Sequence, residues 1–349
     1  MNIFITGESG AIPKAMQNDE LLKTFDFKIT NHQQHDPFKI KILKAHQSFK
    51  VREPEIDFLN KELLFSKKME KVWENTDVII HSGAFVGTDY CNANTNLAIR
   101  TNIEGTQNIV EIANKFNIKL VYLSTTIIFD TDDYGEYKLI TEQTKTNPKT
   151  LYGITKYAGE QIVEKTCKTD KVIVRPVFGY SNYPDDLHSA LTKFIYVKLY
   201  NLIKNPITPL KLNILLNKNI EKTYTHAENL AYLIFKILKS NYWNDAFNIG
   251  DKAENSANWY QLNSIINNLI YNKLNIKLLD DDFNDVNFIE NEDYLHWHNI
   301  STIKLQRMGL FNNFNKNYIS LENGIEQVID SVVKNIDQLP YWTLSDKII

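Results

Sequence analysis

Residues 2–13 read NIFITGESGAIP. Asn2 to Ile5 form a short, mostly apolar run that suits a buried strand, and Thr6-Gly7 closes it. Gly7 and Gly10 then stand where the chain turns from strand into helix, with Ser9, Ala11 and Ile12 lining the turn. Glycine there lets backbone approach a pyrophosphate, and a helix start offers free N–H groups to it. Pro13 replaces the third glycine of a full dinucleotide fingerprint. It is tolerated in a first helical turn, but it does not reproduce the close helix–strand contact of glycine.

A second β-like run covers residues 25–30. After it, Asn31 falls where an acidic side chain would hold the ribose hydroxyls of a dinucleotide. Asparagine can bond a ribose without repelling a 2′-phosphate, and no arginine stands beside it. NAD and NADP therefore both stay open as cofactors.

Strand and helix patterns alternate beyond this point. Residues 77–81 (DVIIH), 119–124 (KLVYLS) and 171–175 (KVIVR) read as buried strands, and residues 102–114 and 152–165 as helices. Such alternation predicts right-handed βαβ crossovers and an α/β fold with a parallel sheet. After Pro176 the pattern loosens into a turn-rich stretch. An amphipathic segment at 189–204, a helix at 228–239 and a strand at 246–250 follow. The expected division is a dinucleotide-binding domain over 1–178, to which 228–250 returns, and a smaller C-terminal substrate lobe from 179–227 and 251–349.

Composition narrows the function. The chain has 349 residues, 43% of them hydrophobic, and a net charge of −3, which leaves no basic footprint for nucleic acid. Cys91 and Cys167 lie far apart and imply neither a disulfide framework nor a zinc site. With no signal-like start and no long apolar run, a soluble, cytoplasmic protein without a membrane span is expected. His226, His296 and His298 are expected to be structural or surface residues, and no metal is expected.

Tyr152-Gly153-Ile154-Thr155-Lys156 places a phenol and an ammonium one helical turn apart. A lysine beside a phenol favours the phenolate, so that Tyr152 can exchange a proton with an alcohol or carbonyl near neutral pH. Ser124-Thr125-Thr126 ends a strand at the sheet edge where α/β folds bind ligands. A hydroxyl there can bond the oxygen that Tyr152 protonates.

These motifs resemble the NAD-dependent epimerase/dehydratase family, the extended short-chain dehydrogenases. Thr6-Gly7…Gly10 looks like its glycine motif, and residues 77–84 (DVIIHSGA) resemble its DVVIHLAA strand. Asn102-x-x-Gly105-Thr106 matches its NxxGT helix start. Residues 222–231 (KTYTHAENLA) resemble RDFIHVDDLA, and 246–250 (AFNIG) resemble VFNIG. Residues 301–310 and 321–329 resemble its closing segments. The resemblance implies a Rossmann-type doubly wound sheet with a smaller α/β lobe, a nucleotide-sugar substrate and a homodimer. It implies Thr125, Tyr152 and Lys156 as catalytic residues. Asp57, Phe58, Ser82, Gly83, Ala84 and Asn102 would join the glycine turn, Tyr152 and Lys156 around the cofactor. Val86, Thr125, Thr126 and Lys222 would meet the substrate, Lys222 at its diphosphate.

Thr126 and Ile127 stand where the family's sugar 4,6-dehydratases carry Asp-Glu. Isoleucine transfers no proton, which points to 4-epimerisation or keto-sugar reduction; Asp89, Cys91 or His188 would have to supply a missing acid or base for dehydration. The alternatives are a non-sugar alcohol or ketone as substrate, a dehydratase, or a cofactor-binding protein without turnover.

Overall fold

The protein is described by a computed structural model over residues 1–7, 10–30, 39–42, 50–53, 58–129, 139–177, 179–183, 186, 189–204, 212–216, 221–240, 242–251, 256–275, 286–290, 300–312 and 318–337. Six strands form the main sheet: β1 (Asn2–Thr6), β2 (Lys28–Ile29), β3 (Val78–His81), β4 (Lys119–Leu123), β5 (Lys171–Pro176) and β6 (Asp245–Ile249). They lie in the order β6-β5-β4-β3-β1-β2, every pair parallel. From β1 the chain runs outward to β2, then crosses back to build β3 on the other side of β1. The carboxyl ends of β1 and β3 thus flank the point where strand order reverses, where open α/β sheets hold ligands. This is the Rossmann-type doubly wound fold.

Alternating side chains build a layer on each sheet face. Ile3, Ile5, Val78, Ile80, Val121, Leu123, Val172, Val174, Phe247 and Ile249 share a core with helices α1 (Ala11–Met16) and α5 (Ala227–Lys239). Their neighbours Phe4, Ile79, Leu120, Tyr122 and Ile173 face α2 (Gly105–Phe116) and α3 (Leu151–Thr166). A further core gathers α4 (Ala190–Ile203), α6 (Trp259–Leu274) and α7 (Leu321–Asn335) around Phe194, Ile266 and Ile325.

Three local expectations change. The β-like run at 25–30 shrinks to Lys28–Ile29, because Asp19–Phe25 is a helix capped by Asn18, whose side chain accepts from the Glu20 and Leu21 amides. The segment at 189–204 is a helix, but not an amphipathic one: Leu191, Phe194, Ile195, Tyr196, Val197, Lys198 and Leu199 are all buried, so most of its circumference is enclosed. The helix expected to run evenly over 102–114 begins in a π-helical turn, Arg100–Glu104, before α2.

Candidate active site

The turn after β1 is held by contact between two glycines. Gly7 has φ +67°, and a Cβ built on it would lie 2.6 Å from the Gly83 Cα. Backbone cannot retreat from such a clash, so Gly7 must lack a side chain. Gly10 closes the turn by donating its N–H to the Gly7 carbonyl at 3.0 Å. A Cβ on Gly10 would meet nothing nearer than 3.4 Å, so the need for glycine falls on Gly7 and Gly83 rather than on Gly10. Gly83 is also covered by the Phe58 ring, whose Cε1 would lie 2.6 Å from an added Cβ. Gly105 faces the same ring at 2.5 Å, which explains the glycine of the Asn102-x-x-Gly105 motif as packing.

A directed hydrogen-bond chain starts at this turn. The Gly83 N–H donates to Thr6 Oγ1 at 3.0 Å, and Thr6 Oγ1 lies 2.7 Å from His81 Nδ1. His81 Nε2 lies 3.1 Å from Thr106 Oγ1, and that hydroxyl donates to the Asn102 carbonyl at 2.7 Å. Thr106 has spent its proton, so His81 must donate from Nε2 and accept at Nδ1 from Thr6. Such an imidazole is neutral. Burial, with the Lys156 charge nearby, pushes its pKa down to about 3.

Asn102 carries the chain onward. Its Oδ1 accepts from the Phe85 amide at 2.7 Å, while Nδ2 donates to the Phe85 carbonyl at 3.0 Å and to Thr155 Oγ1 at 2.9 Å. Thr155 in turn donates to the Tyr152 carbonyl at 2.9 Å. Both Nδ2 hydrogens are thus spent on the protein. Asn102, expected beside a cofactor, braces the segment with Ser82, Gly83, Ala84 and Val86 against α3; Val86 itself is exposed.

Tyr152 and Lys156 lie on the buried side of α3, which Thr150 caps through its hydroxyl and the Gly153 amide. Tyr152 packs with Cys91 and Ala98, bordered by Phe85, Ile127 and Leu151. Lys156 is 2% exposed, its Nζ 4.2 Å from the centre of the Tyr122 ring. Burial draws its pKa down to about 7, against the opposing pull of Glu160 one turn on. The expected lowering of the phenol by Lys156 is reversed here. Burial raises Tyr152 well above its usual range, with Cys91 adding to the rise. Desolvation of the phenolate dominates, and the Lys156 ammonium is turned toward the Tyr122 ring.

Thr125 and Thr126 follow β4 at the same sheet edge. Thr125 Oγ1 accepts from the Ile127 amide at 3.3 Å, and Thr126 Oγ1 donates to the Pro176 carbonyl at 3.4 Å. Below them Arg175 and Glu160 form a buried two-pronged pair at 2.9 and 2.8 Å. Lys222 lies on a two-residue ribbon opposite Ala257, which belongs to the α4–α6–α7 core. Lys222 is half-buried, and that burial lowers its pKa to about 7. Cys91 is sealed against Tyr152 as a neutral thiol, raised by burial to about 11. His226 is fully buried and caps α5 by accepting the Glu228 amide at Nδ1. Ala11 and Ile12 open α1.

Ser9, Asn31, Asp57, His188, His296 and His298 lie outside the described residues. Among the described residues no group of three or more His, Cys, Asp or Glu side chains is placed to hold a metal, and no helix is long and apolar enough to cross a membrane. Thr6, His81, Thr106 and Thr155 were not singled out from the sequence. Thr6, His81 and Thr106 each lie inside a quoted motif (Thr6-Gly7, residues 77–84 and Asn102–Thr106), and those motifs are the signals that could have led to the chain.

The family described as RmlD substrate binding domain matches residues 1–278. The dTDP-4-dehydrorhamnose reductase of Aggregatibacter actinomycetemcomitans is 29% identical over 139 residues, which are 40% of this chain and 45% of that one. The chain thus aligns with less than half of that relative's length. Among solved structures, the UDP-glucuronic acid 4-epimerase of Bacillus cereus, in complex with NAD, superposes with a TM-score of 0.68 at 20% identity, covering 98% of this chain and 99% of that one. The dTDP-4-dehydrorhamnose reductase of Bacillus anthracis, in complex with NADP, gives 0.65 at 19% identity, with 94% and 98% covered.

Proposed function

The chain belongs to the RmlD substrate binding domain family, and from that premise we propose that it is an NAD(P)-dependent reductase of a nucleotide-activated keto-sugar. The observation that supports this reading is the tie on α3: the helix that carries Tyr152 and Lys156 is bonded through Thr155 to Asn102, which holds the Phe85 backbone just beyond the Gly83 contact of the glycine turn. The turn suits a dinucleotide because Gly7 and Gly83 meet through bare backbone, which lets the main chain come close to a pyrophosphate. A bound nicotinamide cofactor would supply the hydride.

The protein's own part is proton transfer and orientation. Thr125 would hold the substrate carbonyl oxygen, and Tyr152 would give it a proton as it becomes an alkoxide. A phenol held above its ordinary range keeps its proton until a strong base develops, which suits reduction. Lys156 would bond the nicotinamide ribose and lend positive charge to the phenol's oxygen. Ile127 packs beside Tyr152 and brings no acid or base, which argues against dehydration. The two-lobe division, with the α4–α6–α7 core and Lys222 on the substrate side, belongs to the same proposal.

A second reading, 4-epimerisation through a transient ketone, uses the same residues without the extra group that Ile127 replaces. The test follows reduced-nicotinamide absorbance of the purified chain, with NADH or NADPH and dTDP-, UDP-, GDP- and CDP-linked keto-sugars for reduction, and with 4-hydroxy sugars on the same nucleotides for epimerisation, dTDP compounds first. Reductase activity consumes the cofactor; epimerisation interconverts sugars without net consumption. The Tyr152→Phe variant is expected to lose about 10²- to 10⁴-fold in kcat. If no nucleotide sugar binds or turns over, the substrate class is wrong; a fully active variant removes Tyr152 from the mechanism.

A further inference from the structure

Three adjacent strands end in a row of buried polar side chains. Arg175 lies in β5 and stands in register with Asn248 of β6. On the other side, Leu123 of β4 is in register with Val174, and the next amide, that of Ser124, donates to the Val174 carbonyl at 2.7 Å. Ser124, Arg175 and Asn248 are therefore neighbours on one sheet face. It is the α3 face, because Arg175 reaches Glu160 there.

All three side chains are sealed from solvent, at 6%, 8% and 0% exposure. Four of their atoms have no hydrogen-bond partner in the protein: Ser124 Oγ, Arg175 Nη1, and both Nδ2 and Oδ1 of Asn248. Buried polar atoms are almost always paired, and a lone one of this kind is rare. Four in one row call for a common partner.

Charge and hydrogen-bond chemistry identify that partner. The Arg175 charge is already matched by Glu160, and Glu142 Oε1 accepts from the backbone N–H of Asn248 at 3.0 Å. An anion would face two carboxylates against one guanidinium, and a cation would face the guanidinium. Arg175 Nη1 only donates, the amide does both through its two ends, and Ser124 does either. The molecule that fits is small, neutral, and both donor and acceptor. We propose that the row Ser124–Arg175–Asn248 is an internal hydration site, in which ordered water bridges the ends of β4, β5 and β6. Such water would tie the peptide that leads into Thr125 to the two neighbouring strands. The inference does not depend on the reaction assigned above.

A crystal structure of the full chain, at a resolution that orders internal water, tests it directly. Expected is water oxygen between about 2.7 and 3.2 Å from at least two of the three side chains. A row that closes on itself, with Arg175 bonded directly to Ser124 or the Asn248 amide, or a dry row, overturns the proposal. In solution, oxygen-17 relaxation dispersion counts long-lived internal waters. Asn248→Leu should lower the count by at least one, and an unchanged count in a folded variant overturns the proposal. Should that variant fail to fold, Ser124→Ala removes one unpaired hydroxyl at smaller cost, and its crystal structure should show the bridging water displaced or lost.

Discussion

His81 shows how much one buried side chain can decide. It joins β1 to the start of α2 only as the neutral tautomer that accepts from Thr6 and donates to Thr106. Its pKa falls from 6.5 to about 3 on folding. Between these values the unfolded chain binds a proton that the folded chain refuses. The stability due to His81 is therefore full above pH 6.5 and lost as pH falls toward 3. Urea unfolding should show a loss of stability across that window that is shallower in His81→Asn; parallel slopes in the two proteins would contradict the burial argument. Gly159 makes a second residue-level case. A Cβ there would lie 2.1 Å from Tyr122 Oη, the hydroxyl that donates to the Lys156 carbonyl. Gly159→Ala is expected to cost about 1–3 kcal/mol by overpacking. Adding Tyr122→Phe should recover part of that loss, and strictly additive costs in the cycle would argue against the contact.

At the scale of elements, the π-helical turn Arg100–Glu104 matters most. A π-turn adds a residue to the helical repeat and often marks a functional position. Here the turn carries Asn102, whose side chain spans from the Phe85 backbone to α3. Replacing it by alanine strands buried groups, each at about 1–3 kcal/mol. Asn102→Ala should therefore lower the unfolding midpoint. It should also reduce kcat more than KM, because α3, the helix that carries Tyr152, loses its tie to the Phe85 backbone while the substrate contacts remain. An equal effect on both would reduce Asn102 to packing alone. The pattern of residues 102–106 was legible in the sequence, and so was its place at a helix start. The π-turn was not, because 3.6-residue spacing and a single wider turn give nearly the same apolar pattern over so short a stretch. The short β2 was misread for a related reason: Phe25 and Phe27 look like strand residues, yet both pack with Phe235 of α5 in the core beside the sheet.

For the whole molecule, the main sheet and the α4–α6–α7 core bring separate sets of residues together. If the glycine turn binds a dinucleotide, saturating it at one hundred times its dissociation constant stabilises the folded chain by about 2.7 kcal/mol. A rise in thermal midpoint with NADPH or NADH would name the preferred cofactor, and no rise with either would count against the proposed binding turn. The sequence alone determined the parallel α/β class, the order of its motifs, and the Tyr152–Lys156 spacing on one helix. Those are local properties: a period of two or of 3.6 residues, or a glycine at a turn, is written in consecutive residues. Only the tertiary structure decided that Tyr152 sits as a raised phenol beside Cys91, that Asn102 is a brace, and that Ser124, Arg175 and Asn248 form one row. Each of these depends on desolvation and on contacts between residues far apart in the chain, which exist only once the strands have paired.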